Sequence, residues 1–198
     1  MEIPLFPLNT VLFPSGLLPL QVFEQRYMEM TKACLRDGTH FGVCLIRHGA
    51  EVGAPATPEA VGCTARIAHW DMAQLGVLKI VAQGERRFRL GATRVQDDGL
   101  VVGEVEFLAE EIDAPVPPGL ERCRRLLERI VAEHGERLFA KPFRLDSSAW
   151  VSARLAEVLP LPPGTRQSLL ELDDGRQRLE ILERLLRQAG QGESSTEK

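Results

Sequence analysis

The sequence lacks the short motifs that mark nucleotide-dependent and hydrolytic enzymes. It has no P-loop of the form G-x-x-x-x-G-K-[ST], no G-x-S-x-G nucleophile elbow, no H-E-x-x-H zinc motif and no G-x-G-x-x-G dinucleotide loop. The four histidines are scattered, at His40, His48, His69 and His134, and a lone histidine in a strand or helix is most often structural. We therefore expect no catalytic residues, no cofactor and a protein that is not an enzyme.

Cysteine is scarce and shows no metal-binding spacing. The four cysteines, Cys34, Cys44, Cys63 and Cys123, are far apart, with no C-x-x-C pair and no histidine at zinc spacing. Each lies in an apolar strand or helix pattern, which predicts buried free thiols and no bound metal. Free thiols suit a reducing compartment, and we expect the protein to be cytoplasmic.

Long apolar runs and an excess of basic charge are also absent. No segment approaches the ~20 uninterrupted apolar residues that a membrane-spanning helix needs, and Met1-Glu2 supplies no positive region of a signal peptide. The 198 residues are 44% apolar and 26% charged, as in ordinary globular proteins. A formal net charge of −4 gives no general affinity for nucleic acid. RNA binding would therefore need a local basic patch.

The sequence does contain a proline-punctuated apolar segment followed by a helix. Residues 3–27 read IPLFPLNTVLFPSGLLPLQVFEQRY. The prolines exclude a helix here and argue against an ordinary central strand, because proline has no N–H to donate. We predict extended pieces that leave a sheet at Pro14-Ser15-Gly16. From Glu24, in the first turn, the pattern is helical, with Gly38 as the left-handed cap. The predicted buried face of this helix consists of Phe23, Tyr27, Met30 and Cys34.

Later patterns predict a sheet and then helices. Alternation and turn signals indicate six or so strands, joined by a glycine-containing hairpin near Gly76 and broken at Gly84. An acidic, proline-rich segment from Glu110 to Gly119 has no periodicity and marks a boundary. Four helical patterns are predicted to begin at Leu120, Asp146-Ser147-Ser148, Thr165 and Asp174. The predicted fold class is α+β, with a β-rich part over 1–113, a helical bundle over 114–190 and a disordered polar tail over 191–198.

The amino-terminal stretch PLFPLNTVLFPSGLLPLQVFEQRYMEM resembles the opening of the Lon protease amino-terminal, substrate-binding domain family. The family's LFPG-like turn here carries Ser15 before Gly16, and its helix start is Phe23-Glu24-Gln25-Arg26-Tyr27. The resemblance continues in the family's order to about residue 188. It implies a β-rich PUA-like pseudobarrel followed by a helical subdomain. Full Lon proteases add an ATPase module and a Ser/Lys peptidase domain, and we expect neither in this chain.

Two sets of side chains are candidates for binding. The first is apolar, and simple packing onto a neighbour is the alternative explanation for its exposed Trp and Met. It consists of Leu17, Leu18, Trp70, Met72 and Leu75. The second is basic, and a solvated charged face is the alternative explanation. It consists of Arg86, Arg87, Arg89 and Arg94, with a further group on a helix at Arg122, Arg124, Arg125 and Arg129.

These features predict a binding protein. The leading function is non-catalytic recognition of unfolded or damaged polypeptide through apolar and strand-edge contacts, as an adaptor in protein quality control that works beside a separate protease. The alternative is binding of RNA or a nucleotide through the arginines of a PUA-like fold. A small-molecule enzyme is disfavoured because no nucleophile and base occur together in a motif. We expect a monomer or weak homo-oligomer that does not bind membranes.

Overall fold

A computed structural model describes residues 1–111 and 113–193. The chain forms two compact units. The first contains Met1–Glu110 together with Pro162–Glu171, and the second contains Glu111–Leu161 together with the described residues from Leu172 onward. The sequence-based division at 113 and 114 placed all helices after the boundary in the second part. The contacts instead assign the helix within Pro162–Glu171 to the first unit.

The first unit contains six strands and two helices within its described residues, and the second of these helices is the one within Pro162–Glu171. The strands are β1 Glu2–Leu8, β2 Leu17–Val22, β3 Phe41–His48, β4 Thr57–Gln74, β5 Val77–Val95 and β6 Val101–Phe107. Helix α1, Gln25–Asp37, lies between β2 and β3 in sequence. The strand order is β2-β5-β4-β3-β1-β6, and β5 also pairs with β6. Because β6 pairs with both β1 and β5, five strands close into a ring, and β2 is attached to β5.

Strand β1 occupies an interior position despite its prolines. It pairs in parallel with β3 and antiparallel with β6, so it lies between two strands although it is not an ordinary central strand. The pairing is staggered, since residues 2–4 are in register with β6 and residues 5–8 with β3. Each half of β1 therefore has one partner, and a missing proline N–H can face the side that has none.

The predicted break at Gly84 is wrong, because β5 runs continuously through it. Gly84 instead receives the turn at Pro14-Ser15-Gly16. The Ser15 N–H donates to the Gly84 carbonyl at 2.8 Å, and the Gly84 N–H donates to the Gly16 carbonyl at 2.9 Å. The chain approaches so closely that only a residue without a side chain fits at this position.

Ser15 adopts the left-handed conformation, with φ at 63°. This backbone costs a residue with a Cβ about 1–2 kcal/mol, and the added flexibility of glycine in the unfolded chain offsets about half of that. We predict that Ser15→Gly raises the free energy of unfolding by about 0.5 kcal/mol and the melting temperature by about 1–2 °C. Differential scanning calorimetry measures this.

Ser168→Gly is the matched control for that substitution. Ser168 is exposed in the Pro163–Glu171 helix and is not among the residues with positive φ. Glycine there relieves no strain and costs helix stability, so the melting temperature should fall. A lower melting temperature in both variants would contradict backbone strain at Ser15.

Helix α1 is attached to the sheet by the motif at its start. The Tyr27 ring stacks on Phe6 with centroids 4.1 Å apart, and Tyr27, Met30 and Cys34 are buried as predicted. Arg26 is also buried and donates to the Glu24 carboxylate at 2.9 Å and the Gly99 carbonyl at 3.1 Å. Glu24 is the N-cap residue and does not lie in the first turn. The predicted cap at Gly38 is confirmed, with φ at 62°.

Phe23 was predicted on the buried face of this helix, and that prediction is wrong. The helix begins at Gln25, so helical spacing does not extend back to Phe23. Its side chain is 55% exposed.

The second unit is helical. Its helices are α2 Glu121–His134, a short 3-10 helix Gly135–Arg137, α3 Ser148–Val158 and α5 Gly175–Glu193; helix α4, Pro163–Glu171, belongs to the first unit. Ser147 caps α3 as predicted, because its Oγ accepts from the Trp150 N–H at 3.0 Å. The core of this unit includes Cys123, Leu127, Trp150, Val151, Leu155, Leu179 and Leu182.

Two helix ends differ from the sequence predictions. Helix α4 begins at Pro163, not at a cap on Thr165, because proline suits the first turn of a helix. Helix α5 continues to Glu193, into the segment 191–198 that was predicted to be disordered. Residues 194–198 lie outside the described part of the chain.

Candidate functional site

An apolar face crosses strands β2, β5 and β4 of the first unit. Ile80 on β5 is in register with Leu20 on β2 and with Trp70 on β4. In the next row, Ala82 is in register with Leu18 and Ile67. Residues opposite each other on antiparallel strands point to the same side of the sheet. We call the partly or largely exposed members of this set the apolar sheet face: Leu18, Leu20, Ile67, Trp70 and Met72.

The apolar sheet face is the outer margin of the main core. Ile80 and Ala82 are fully buried, and Leu18, Leu20 and Ile67 pack against the same cluster while staying partly exposed. Trp70 is 53% exposed and Met72 is 42% exposed. Trp70 and Asp71 stay in regular register with β5, and alternation to the next residue places Met72 on the side of Trp70, where a register shift begins. A continuous apolar surface therefore leads from the core to solvent.

The sequence candidates for polypeptide binding do not all meet on this face. Leu18, Trp70 and Met72 do. Leu17 is in register with Gln83, which is in register with Arg66, so Leu17 lies on the opposite side of the sheet. The sequence could not show this, because a two-residue apolar run does not reveal which member faces the core.

Leu75 lies at the tip of the hairpin between β4 and β5, beyond the last paired residues Gln74 and Val77. The neighbouring Gly76 has φ at 82°, as the predicted glycine turn requires. The Leu75 side chain is 95% exposed. Phe23 was not among the candidates, although it directly follows Val22 at the end of β2. The sequence did not indicate Phe23 as a binding candidate, because helical spacing placed it on the buried face of α1.

Strand β2 is at the open end of the strand order. An edge strand presents backbone donors and acceptors to which an extended peptide can pair. Pro19, in the middle of β2, removes one donor, a usual protection of edge strands. Binding here would therefore depend more on side-chain burial than on a full ladder of hydrogen bonds.

The arginines proposed for RNA binding do not form a common surface. Arg87 is buried, and its guanidinium donates to the Leu170 carbonyl of α4 at 2.9 Å. The prediction that Arg87 contacts RNA is therefore wrong. Its register explains why: Arg87 is opposite the fully buried Cys63. A buried guanidinium needs acceptors, and here backbone carbonyls supply them.

The other three arginines are exposed but lie beside rings and carboxylates. Arg86 stacks over the Phe107 ring at 4.2 Å, and Arg89 is in register with Glu106. Arg94 donates to both Glu2 oxygens, at 2.8 and 3.0 Å. This hydrogen bond lowers the pKa of Glu2 and raises that of Arg94. Interleaved carboxylates make a poor phosphate site.

The four cysteines are free and buried, as predicted. Burial raises the pKa of Cys44, and burial together with a hydrogen bond to Glu183 raises the pKa of Cys123 to about 12. Both thiols are therefore protonated at neutral pH and poor nucleophiles. Within residues 1–111 and 113–193, no three His, Cys, Asp or Glu side chains are grouped so that they could hold a metal ion. None of the helices in these ranges has the length and apolarity to cross a membrane.

The sequence is similar to those of known proteins. A family model, the ATP-dependent protease La (LON) substrate-binding domain, matches residues 2–188. The Lon protease of Anaeromyxobacter dehalogenans (strain 2CP-C) is 27% identical over 192 residues, which are 93% of this chain and 23% of that protein. Protein cereblon of Danio rerio is 31% identical over 115 residues, 56% of this chain and 26% of that protein. The chain spans about a quarter of the length of these curated relatives.

Two solved structures share the fold. A Lon N-terminal domain protein from Xanthomonas campestris has 42% identity and a TM-score of 0.77, covering 92% of this chain and 96% of that one. The N-terminal domain of a Mycobacterium avium complex Lon protease has 17% identity and a TM-score of 0.61, covering 92% of this chain and 96% of that one. At 17% identity, the similarity to the second structure shows a shared fold alone.

Proposed function

Because the chain belongs to the Lon substrate-binding domain family, as its match over residues 2–188 establishes, we propose that it recognises unfolded or damaged polypeptide without catalysing a reaction. The observation that carries this proposal is the apolar sheet face, where Trp70 and Met72 stay largely exposed beside a buried core. We further propose that the closed ring of strands is a PUA-like pseudobarrel, and that the protein acts in the cytoplasm, which suits its free thiols.

The chemistry of the apolar sheet face suits unfolded chains. An unfolded chain exposes apolar side chains that are buried in a folded protein, and contact with them removes apolar area from water on both sides. Burying the exposed half of a large apolar side chain contributes about 1 kcal/mol. Met72 adds a flexible, polarizable side chain that adapts to different sequences. Trp70 and Met72 together therefore supply about a tenfold gain in affinity or more.

The proposal predicts that Trp70→Ala combined with Met72→Ala weakens binding of an unfolded protein about tenfold. The ligand is fluorescein-labelled, reduced and carboxymethylated α-lactalbumin, and fluorescence anisotropy measures the affinity. Because apolar burial supplies the binding energy, the affinity should change little between low and high salt.

Two matched variants test this prediction. Val52→Ala with Val95→Ala removes two other exposed apolar side chains of the same unit, which are 57% and 56% exposed, and should leave binding unchanged. Arg86→Ala with Arg89→Ala should also leave it unchanged. An equal loss of affinity in the valine variant would mean that exposed apolar side chains bind the unfolded protein non-specifically. Loss confined to the arginine variant, with tight salt-sensitive binding of a single-stranded RNA, would replace polypeptide recognition with RNA binding.

A further inference from the structure

A groove lies between helices α2 and α5 of the helical unit. It has a volume of about 920 Å³. Its apolar lining comes from Leu126 and Ala132 of α2 and Leu186 of α5, and its basic lining from three arginines of α2. These are Arg122, Arg125 and Arg129. Their spacing of three and four residues places them along one side of the helix.

The three arginines that line the groove are available for a ligand. Their side chains are exposed, and none of them forms an ion pair with another described residue. Arg124, on the same helix, differs because Glu121 and Glu128 both bind it. Glu128 is the carboxylate that lines the groove. Since Arg124 already engages Glu128, the groove presents three positive charges beside an apolar floor.

We propose that this groove docks an acidic amphipathic helix of a partner protein. The distance along α2 from Arg122 to Arg129 is about 10 Å, or two helical turns. A partner helix with carboxylates at matching spacing would place them against the guanidinium groups, which bind carboxylates in a fork-like geometry. The apolar stripe of the same helix would cover Leu126, Ala132 and Leu186. Charge and apolar pattern thus specify one kind of ligand.

The lining favours such a helix over a nucleic acid. Single strands bind to basic grooves in which aromatic rings stack on the bases, whereas the apolar residues in the described lining of this groove are all aliphatic. This docking site is on the helical unit and is separate from the apolar sheet face, so either proposal can fail without the other.

The probe is a fluorescein-labelled peptide of about 18 residues, long enough to form a helix. It carries Leu at i, i+4 and i+7 spacing, Glu on both flanks of that stripe and Ala elsewhere. We expect saturable binding by anisotropy. We expect none for a scrambled peptide of the same composition and none for a peptide with Lys in place of Glu. Failure of the acidic amphipathic peptide to bind, or equal binding of the scrambled one, would overturn the proposal.

Protein variants locate the binding. Arg122→Gln, Arg125→Gln and Arg129→Gln in one chain should weaken it about tenfold, the combined effect of three exposed ion pairs. Arg36→Gln, Arg47→Gln and Arg66→Gln remove the same charge from the first unit and should have little effect. Leu186→Gln should weaken binding at constant charge. Equal loss of peptide binding in the two triple-arginine variants would indicate general electrostatic attraction and would contradict docking in the groove.

A charge exchange guards against misfolding of the variants. Arg125→Glu should weaken binding of the acidic peptide several-fold, and a peptide with one Glu replaced by Lys at the facing turn should restore it. Thermal melts of the arginine variants should match the unmodified protein, because the substituted arginines are exposed. The other contradicting result concerns RNA. If a mixed-sequence single-stranded RNA binds more tightly than the peptide, and the triple variant of the groove arginines loses this RNA binding, the groove is a nucleic-acid site.

Discussion

Gly84→Ala is expected to lower the free energy of unfolding of the first unit by about 3 kcal/mol, the upper end of the cost of overpacking. A Cβ at this position would lie 2.2 Å from the Phe13 carbonyl oxygen and 3.0 Å from its carbonyl carbon. These are backbone atoms, which cannot rotate away as a side chain could. Moving them would break the hydrogen bonds that Gly84 makes with Ser15 and Gly16. Urea unfolding followed by circular dichroism measures the change.

Gly164→Ala is the control within the same unit. Apart from its chain neighbours and the backbone of its own helix, no heavy atom lies within 4 Å of where a Cβ on Gly164 would be, and Gly164 is in the first turn of α4. Alanine is a better helix former than glycine, so stability should stay equal or rise by a few tenths of a kcal/mol. Equal stability of the two variants would show that the Phe13 backbone does not approach Gly84 this closely.

The Gly84 contact also bears on the proposed function. The turn that docks on Gly84 leads directly into β2, which carries Leu18 and Leu20 of the apolar sheet face. Displacing this turn should shift β2 along β5. We therefore expect Gly84→Ala to weaken binding of the unfolded protein even at temperatures where the variant remains folded.

Arg178→Met is expected to destabilise the helical unit by about 3 kcal/mol. The Arg178 side chain is 1% exposed, and its guanidinium donates to both Glu111 oxygens and to the Leu172 carbonyl. Glu111 is only 12% exposed. Removing one partner of a buried ion pair leaves the other charge poorly solvated, which costs about 3–5 kcal/mol. Chemical unfolding of the variant measures the loss.

Two further variants separate the ion pair from a general loss of charge. Arg176→Met, on the same helix, removes an exposed arginine that binds Glu180 at 3.2 Å, and should cost less than about 1 kcal/mol. Glu111→Gln combined with Arg178→Met removes both charges and should recover part of the lost stability. If the loss in the double variant equals the sum of the losses in Arg178→Met and in Glu111→Gln measured alone, the pair is not coupled.

Local patterns in the sequence determined much of the secondary structure. The end of α1 at Gly38, the Ser147 cap of α3, the hairpin turn at Gly76 and the burial of the four cysteines were all predicted correctly. Each depends on neighbours a few residues away: a left-handed glycine, a side-chain acceptor for an N–H, or an apolar period. The family resemblance was likewise carried by short motifs and is confirmed over residues 2–188.

Only the tertiary structure decided which of the candidate side chains share a surface. Leu18 faces the core side and Leu17 the other because β2 pairs with β5 in one register, and that register depends on the distant turn at Gly84. The buried Arg87 guanidinium is satisfied by α4, more than 70 residues later, which supplies the Leu170 carbonyl as its acceptor. Sequence periodicity reports burial along one element, whereas strand register and helix docking depend on contacts between residues far apart in the chain.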